Sequence, residues 1–425
     1  MQRILTSLAA LVLGAFLSQA AQAEDVEVSV WVHQHPPLVK WLTEEAQAFD
    51  AENPGTHVEI TAFPAPEMRT KVFTGLASGS GPTIFDLFAG DFPNVVSRDV
   101  AAPVDWEAMG FESADAFAAT WMPGAIKAAS ANGQYYAIPF LGNPFSLFIN
   151  RKYFEEAGLD PVADAPKNWD ELAEVAAKLT VRDGNRFVQR GFDLPFVQGP
   201  AWWSNMFAMM IRQYGGHVLS ADGKSAMVNS EAGVKALTTL YDLVYKYKVT
   251  APGVGTATAV SPNQDFIDGN TAMWISGNWA IGTFPPDSEI MKTYAVVPNL
   301  QVDANNPHSI ISGWWWYVAK NASDDQRREA WRFLQFISKP GEQLAATGLL
   351  MPNKAIIDSA QWKAFPYHEA FQKDLNAGEW TYFSLKYPEI EAEIASAMER
   401  SLVSGEDPKA SLDEAEANIN RILAQ

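Results

Sequence analysis

Trp314-Trp315-Trp316 stand together in a chain that carries 15 tryptophans among its 425 residues, and a second pair, Trp202-Trp203, follows Gly199-Pro200. Indole rings serve either core packing or as flat platforms against which an apolar ligand face can lie. Acceptors in loops add the complementary chemistry, since Asp91 and Asn143 can take hydrogen bonds from hydroxyl groups. Rings with such acceptors suit a neutral polyhydroxylated molecule, whose C–H face stacks while its hydroxyl rim pairs with acids and amides. The rival chemistry is an aromatic cage around a quaternary ammonium, or acids around a polyamine. His33 and His35 flank Gln34 and resemble a metal pair. A tight site needs a third ligand and a carboxylate behind the imidazoles, so no metal and no cofactor is expected. His33 is instead a candidate contact for ligand hydroxyls, against the plainer reading of an exposed loop.

These residues need elements to hold them. Val26, Val28, Val30 and Val32 alternate as in a strand, and Leu38, Leu42, Ala46 and Phe49 then fall on one helical stripe that Asn53-Pro54-Gly55 stops. A second strand is expected over His57 to Ala62, a helix over Pro66 to Ala77, and a third, buried strand over Thr83 to Phe88. The βαβαβ order implies an α/β fold with a parallel sheet, and ligands of such sheets sit beyond the carboxyl ends of the strands. Those ends are Trp31 to Pro37 and Phe88 to Asn94, the second of which contains Asp91. Further on, Asn168-Trp169-Asp170-Glu171 and Ser323-Asp324-Asp325-Gln326 resemble capping boxes that open helices. The tail from Ile390 to Leu423 reads as surface helices. Within a strand alternate side chains face opposite sides, so at most part of the Trp314–Trp316 trio can face one way. Trp314, just after Gly313, is the first candidate and Trp315 the second, with core packing as the competing reading for both.

Hydrophobic residues make up 48% and charged residues 19%, a globular composition, and the length favours two lobes. Asp and Glu number 50 against 31 Lys and Arg, a net charge of −19 that disfavours nucleic acid as a partner. The basic start Met1-Gln2-Arg3, the apolar run Ile4 to Phe16 and the small residues around Ala21-Gln22-Ala23 predict a cleaved secretion signal over residues 1–23. Cysteine is absent, so neither a disulfide framework nor a lipid-anchored cysteine is expected, which points to a freely diffusing periplasmic protein. A secreted glycoside hydrolase is the enzymatic alternative; His-Glu-x-x-His, Gly-x-Ser-x-Gly and Gly-x-x-x-x-Gly-Lys-Ser/Thr do not occur, which disfavours an enzyme and a nucleotide site.

Several segments, in order, carry a resemblance. They are Gly81-Pro82-Thr83-Ile84-Phe85-Asp86, Tyr136-Ala137-Ile138-Pro139-Phe140 leading to Leu147-Phe148-Ile149-Asn150, and Ala157-Gly158-Leu159-Asp160-Pro161 before Trp169-Asp170-Glu171-Leu172. Ala272-Met273 with Gly277-Asn278-Trp279, Ser312-Gly313-Trp314, and Glu329-Ala330-Trp331-Arg332-Phe333-Leu334-Gln335-Phe336 follow. Together they resemble the extracellular solute-binding proteins of ABC importers, in the large sugar-binding branch. The resemblance implies a two-lobed periplasmic binding fold, a sugar in the cleft, hinge closure, no catalysis, and delivery to ABC permease subunits by a monomer. It divides the chain into a first lobe of residues 24–140 with 292–339 and a second of 141–291 with 340–425. It places Trp279 where the family stacks a ring on sugar, and Asp91 in a loop where the family binds hydroxyls. Trp202 and Trp203 fall in an expected loop of the second lobe. Trp380, Tyr382 and Phe383 align loosely with a further aromatic subsite, with packing as the competing reading. The family usually has an aspartate where this chain has Thr83, and Asp86 follows later, which leaves the structural role of that carboxylate open.

Overall fold

The alternating valines fold as strand β1 (Val26–His33), with Val28, Val30 and Val32 wholly buried, in a computed structural model that describes residues 25–194, 200–250, 262–380, 384 and 386–425. Helix α1 (Pro36–Glu52) buries the stripe Leu38, Leu42, Ala46 and Phe49 against that strand. Strand β2 (Thr56–Phe63), helix α2 (Ala65–Ser78) and strand β3 (Ile84–Phe88) complete the βαβαβ unit, with β1 parallel to both other strands. Helix α2 ends at Gly79, whose φ of 76° is a left-handed conformation that glycine adopts without strain. The strand Trp314–Val318 returns antiparallel beside β3 and closes a four-stranded sheet. Its alternation sends Trp316 and Val318 into the core under α1 and Trp315 and Tyr317 into the opposite core with α2.

The second sheet is built around Asn143–Asn150, all eight residues of which are buried. Met273–Gly277, Tyr294–Val297 and Ser309–Ser312 pair with it antiparallel, and Gly378–Trp380 lies parallel beside Ser309–Ser312. One face carries Phe145, Leu147 and Ile149 against helices Trp169–Leu179, Pro200–Gln213, Glu231–Tyr245, Tyr387–Leu402 and Pro408–Leu423. The other face carries Phe148 against helix His368–Ala377. One expectation differs from this arrangement. The tail is no surface layer, because Ile390, Ile394, Met398, Leu412 and Ile419 are fully buried in the second core. The strands Tyr294–Val297 and Ser309–Ser312 pair within the second sheet, whereas Trp314–Val318 pairs in the first.

Both expected caps form, with one variation. Ser323 and Gln326 make a reciprocal capping box, whereas Asn168 caps the N–H of Glu171 while the Glu171 carboxylate reaches back to the N–H of Lys167.

Three segments cross between the sheets side by side. The N–H of Leu141 donates to the carbonyl of Trp314 at 2.9 Å, and the N–H of Gly142 donates to the carbonyl of Leu350 at 2.8 Å. Leu349 and Met351 face the core under α1, and Leu350 joins the cluster on the Phe148 face of the second sheet. The strands approach so closely that a Cβ at Gly313 would lie 1.6 Å from the Leu141 carbonyl oxygen, a backbone atom that cannot swing aside. Gly313→Ala is therefore expected to cost on the order of 3 kcal/mol or more of stability, read as a lower urea midpoint. An unchanged midpoint would show that the crossing can spread at little cost.

Among the described residues no helix is long and apolar enough to cross a membrane. The expected secretion signal lies outside the described residues.

Candidate functional site

The carboxyl end of β1 touches tryptophans from both halves of the molecule. His33 stacks on Trp314 with ring centroids 4.1 Å apart and planes inclined by 14°. Its Nδ1 lies 2.5 Å from Asp86 Oδ2, and its backbone N–H donates to Asp86 Oδ1 at 3.0 Å. Asp86 thus takes a structural role from inside β3, and burial pushes its carboxyl up while His33 offsets part of the effect. Phe88 meets Trp314 edge-on at 6.1 Å. Held this way, Trp314 remains half-buried, with part of its ring exposed.

Two residues on, His35 turns toward Trp279. Burial first, then the neighbouring His33, pushes its pKa down to about 4, against a weaker opposite effect of the Trp279 backbone. The imidazole is therefore neutral near pH 7. Trp279 sits in the short 3-10 helix Asn278–Thr283, anchored where the Asn278 carboxamide donates to the Gly348 carbonyl at 2.6 Å. Its ring lies directly over Gly277, where a Cβ would come within 1.6 Å of the indole. Phe145 meets Trp279 edge-on at 5.1 Å, Trp202 meets it at 6.0 Å, and Phe145 and Trp202 are 5.2 Å apart. Trp279 and Trp202 are half-buried, so with Phe145 they form one partly open aromatic group in the second lobe.

The remaining candidates have other duties. Asp91 is 2% exposed and bound to Arg69, whose Nε lies 2.5 Å from Asp91 Oδ1. Burial pushes the Asp91 carboxyl up and Arg69 partly restores it. Glu391, on the helix Tyr387–Leu402, also reaches Arg69, at 3.4 Å from Nη2. Asn143 accepts from the N–H of Leu350 at 2.9 Å and so ties two crossing segments together. Trp315 is fully buried, edge-on to Phe92 and 5.5 Å from Trp380. Trp203 is buried in the first turn of helix Pro200–Gln213, not in a loop. Asp91, Asn143, Trp315 and Trp203 thus serve packing and polar anchoring in this conformation. Trp380 borders a separate recess of about 590 Å³ with Phe92, Pro93, Val96, Gly124 and Ala128. Tyr382 and Phe383 lie outside the described residues.

Sequence reasoning missed Arg69 and Glu391. Both come from helices rather than strand-end loops, and they are 322 residues apart, so no local spacing signals them. Among the described residues no three metal-ligating side chains are grouped.

Two α/β lobes joined by three crossing segments, with half-buried tryptophans in each, are the architecture of a two-lobed binding protein. The chain belongs to the family of bacterial extracellular solute-binding proteins, whose pattern it matches over residues 34–344, and is accordingly a binding protein rather than an enzyme. It is 24% identical over 335 residues to the lactose-binding protein of Rhizobium radiobacter, covering 75% of this chain and 72% of that one. It is 23% identical over 369 residues to the sn-glycerol-3-phosphate-binding periplasmic protein of Escherichia coli, covering 84% of this chain and 81% of that one. Its fold matches an ABC transporter solute-binding protein of Thermotoga lettingae bound to alpha-D-tagatose, with a TM-score of 0.81, 22% identity, and 94% and 100% of the two chains covered.

Proposed function

We propose that this protein captures a neutral mono- or oligosaccharide between its lobes and hands it to the membrane permease of an ABC importer. The observation that carries this reading is the convergence of half-buried tryptophans from both lobes on the end of β1, with Trp314 stacked on His33 and Trp279, grouped with Trp202 and Phe145, beside His35. Half-buried rings from both lobes suit the C–H faces of a pyranose, and the neutral His35 imidazole offers a hydrogen bond without a full charge. Strand pairing supports a first lobe of residues 25–141 with 314–337 and a second of 143–312 with 340–425. The lobes would close by bending at the crossings, with the ligand favouring the closed state by its differential affinity. Export through the signal over residues 1–23 and the lack of cysteine support a soluble periplasmic monomer, and the net charge of −19 argues against nucleic acid.

The test is the thermal midpoint of the signal-free protein against mono- and disaccharides, sugar alcohols, betaines and polyamines. A ligand that binds only the folded state at 100 times its Kd adds about 2.7 kcal/mol, so its midpoint must rise by several degrees. A selective rise with a sugar supports the reading, and rises confined to betaines or polyamines overturn it.

A further inference from the structure

Two carboxylates and one guanidinium meet where the lobes touch. Arg69 and Asp91 belong to the first lobe, on α2 and in the turn after β3. Glu391 sits on the helix Tyr387–Leu402, whose Ile390, Ile394, Met398 and Leu402 are rooted in the second core. Arg69 Nε lies 2.5 Å from Asp91 Oδ1, and Arg69 Nη2 lies 3.4 Å from Glu391 Oε1. Both acids are 2% exposed, whereas the Arg69 side chain keeps 37% of its surface. The neighbouring contact is equally close, since a Cβ at Gly90 would lie 2.4 Å from the Tyr387 ring. Asp91 shares its turn with Phe88, which packs on Trp314, so the triad lies beside the proposed stacking platform.

We propose that Arg69 determines specificity: bound by Asp91 and Glu391 as the tie between the lobes, it is withheld from the ligand, and the cleft selects neutral sugars over uronates and sugar phosphates. The proposal rests on the sugar reading and narrows it. An Arg fork free to receive an anion is the usual means of gripping a carboxylate or phosphate. Here Nε is engaged by Asp91 and Nη2 by Glu391. An incoming anion that took both of these nitrogens would have to displace a buried carboxylate, leaving that acid without its cation. A neutral hydroxyl asks for one hydrogen bond and disturbs neither pair. Two carboxyl groups share one guanidinium, so a third acid at Arg69 would have no cation of its own. Burial pushes both acids up, while Arg69 counters the effect at each. Replacing the Glu391 carboxyl with an amide weakens one of the two ties and frees one side of the fork.

The experiment is calorimetric titration of the full mature chain with matched pairs, galactose against galacturonate and glucose against glucose 6-phosphate, for wild type, Glu391→Gln and Asp91→Asn. Wild type is expected to prefer the neutral member of any pair it binds by roughly tenfold or more, and each variant to narrow that preference by roughly tenfold. Wild type preferring the anion, or both variants keeping the wild-type ratio, overturns the proposal. Either variant suffices if the other fails to fold. A second arm does not depend on the cognate sugar: the thermal midpoint is compared in inorganic phosphate and in chloride at equal ionic strength. Glu391→Gln is expected to gain a phosphate-specific rise that wild type lacks and that Arg69→Gln added to it abolishes. If no sugar binds, the sugar reading fails while this arm still decides whether Arg69 is withheld; the same phosphate response in wild type and Glu391→Gln overturns the proposal.

Discussion

Trp279→Ala is expected to weaken binding of the sugar found by the ligand panel by roughly 100-fold, the loss typical of truncating a well-packed tryptophan at a binding surface. The ring's position is fixed from several sides: Gly277 beneath it, Phe145 and Trp202 at its edges, and Asn278 pinning the turn to Gly348. Such a ring enters the closed complex already oriented, so little of its stacking energy is lost to ordering. Trp279 also packs against three apolar clusters, and its removal will lower stability as well. Affinity must therefore be read by titration on folded protein, with Trp279→Phe as the conservative variant expected to recover most of the binding. Trp315 supplies the contrast. It is fully buried in the core between the first sheet and α2, so Trp315→Ala is expected to cost about 3–5 kcal/mol of stability with little change in the Kd of the molecules that remain folded. Trp279→Ala with a wild-type Kd would remove this ring from the site.

Residue periodicity carried the first lobe well, and for a physical reason. Val26 to Val32 alternate because one face of β1 packs on α1, and the α1 stripe repeats with helical spacing because it returns that contact. The second sheet was harder to read. Asn143–Asn150 is buried on both faces and pairs with strands from residues 273–312, so neither alternation nor neighbourhood in sequence marks its partners. The site divides in the same way. Aromatic type alone cannot separate Trp314 from Trp315, because one step along a strand turns a half-open ring into a core ring. Asp91 stands in the expected loop, yet its partner Arg69 reaches it from a helix and Glu391 from the far end of the chain. Charge pairing across that distance is a property of the folded lobes, invisible to local spacing.

Asp374→Asn is expected to stabilise the protein at pH 8, by a margin that narrows toward pH 5. Asp374 is 2% exposed and accepts from the Ser146 hydroxyl at 2.5 Å and from the N–H of Asn299 at 3.0 and 2.9 Å, with no ion pair to a cation among the described residues. Burial pushes its carboxyl from 3.8 up to about 7, although Ser146, Asn299 and the more distant Lys373 pull the other way. The folded state therefore holds a proton between pH 4 and 7 that the unfolded chain has released, and stability from this group falls as pH rises through that window. A carboxyl moved this far costs about 4 kcal/mol once both states are ionised, an upper figure because local relaxation softens it. Burial pushes Asp193 up to about 7 as well, in a cluster with Arg190 and Asp265, and it acts in the same direction. His35 acts oppositely: its depressed pKa makes the unfolded state bind the extra proton between about pH 4 and 6.5, so its contribution is lost on acidification. The wild-type curve alone mixes these effects, whereas the difference between wild type and Asp374→Asn isolates one. An amide keeps an acceptor for Asn299 and carries no charge at any pH, so it resembles the protonated acid. Urea midpoints at pH 5, 6, 7 and 8 should show the two proteins converging toward pH 5 and the variant ahead at pH 8. A constant gap would mean that Asp374 is ionised throughout, and that its three hydrogen bonds alone support a buried charge.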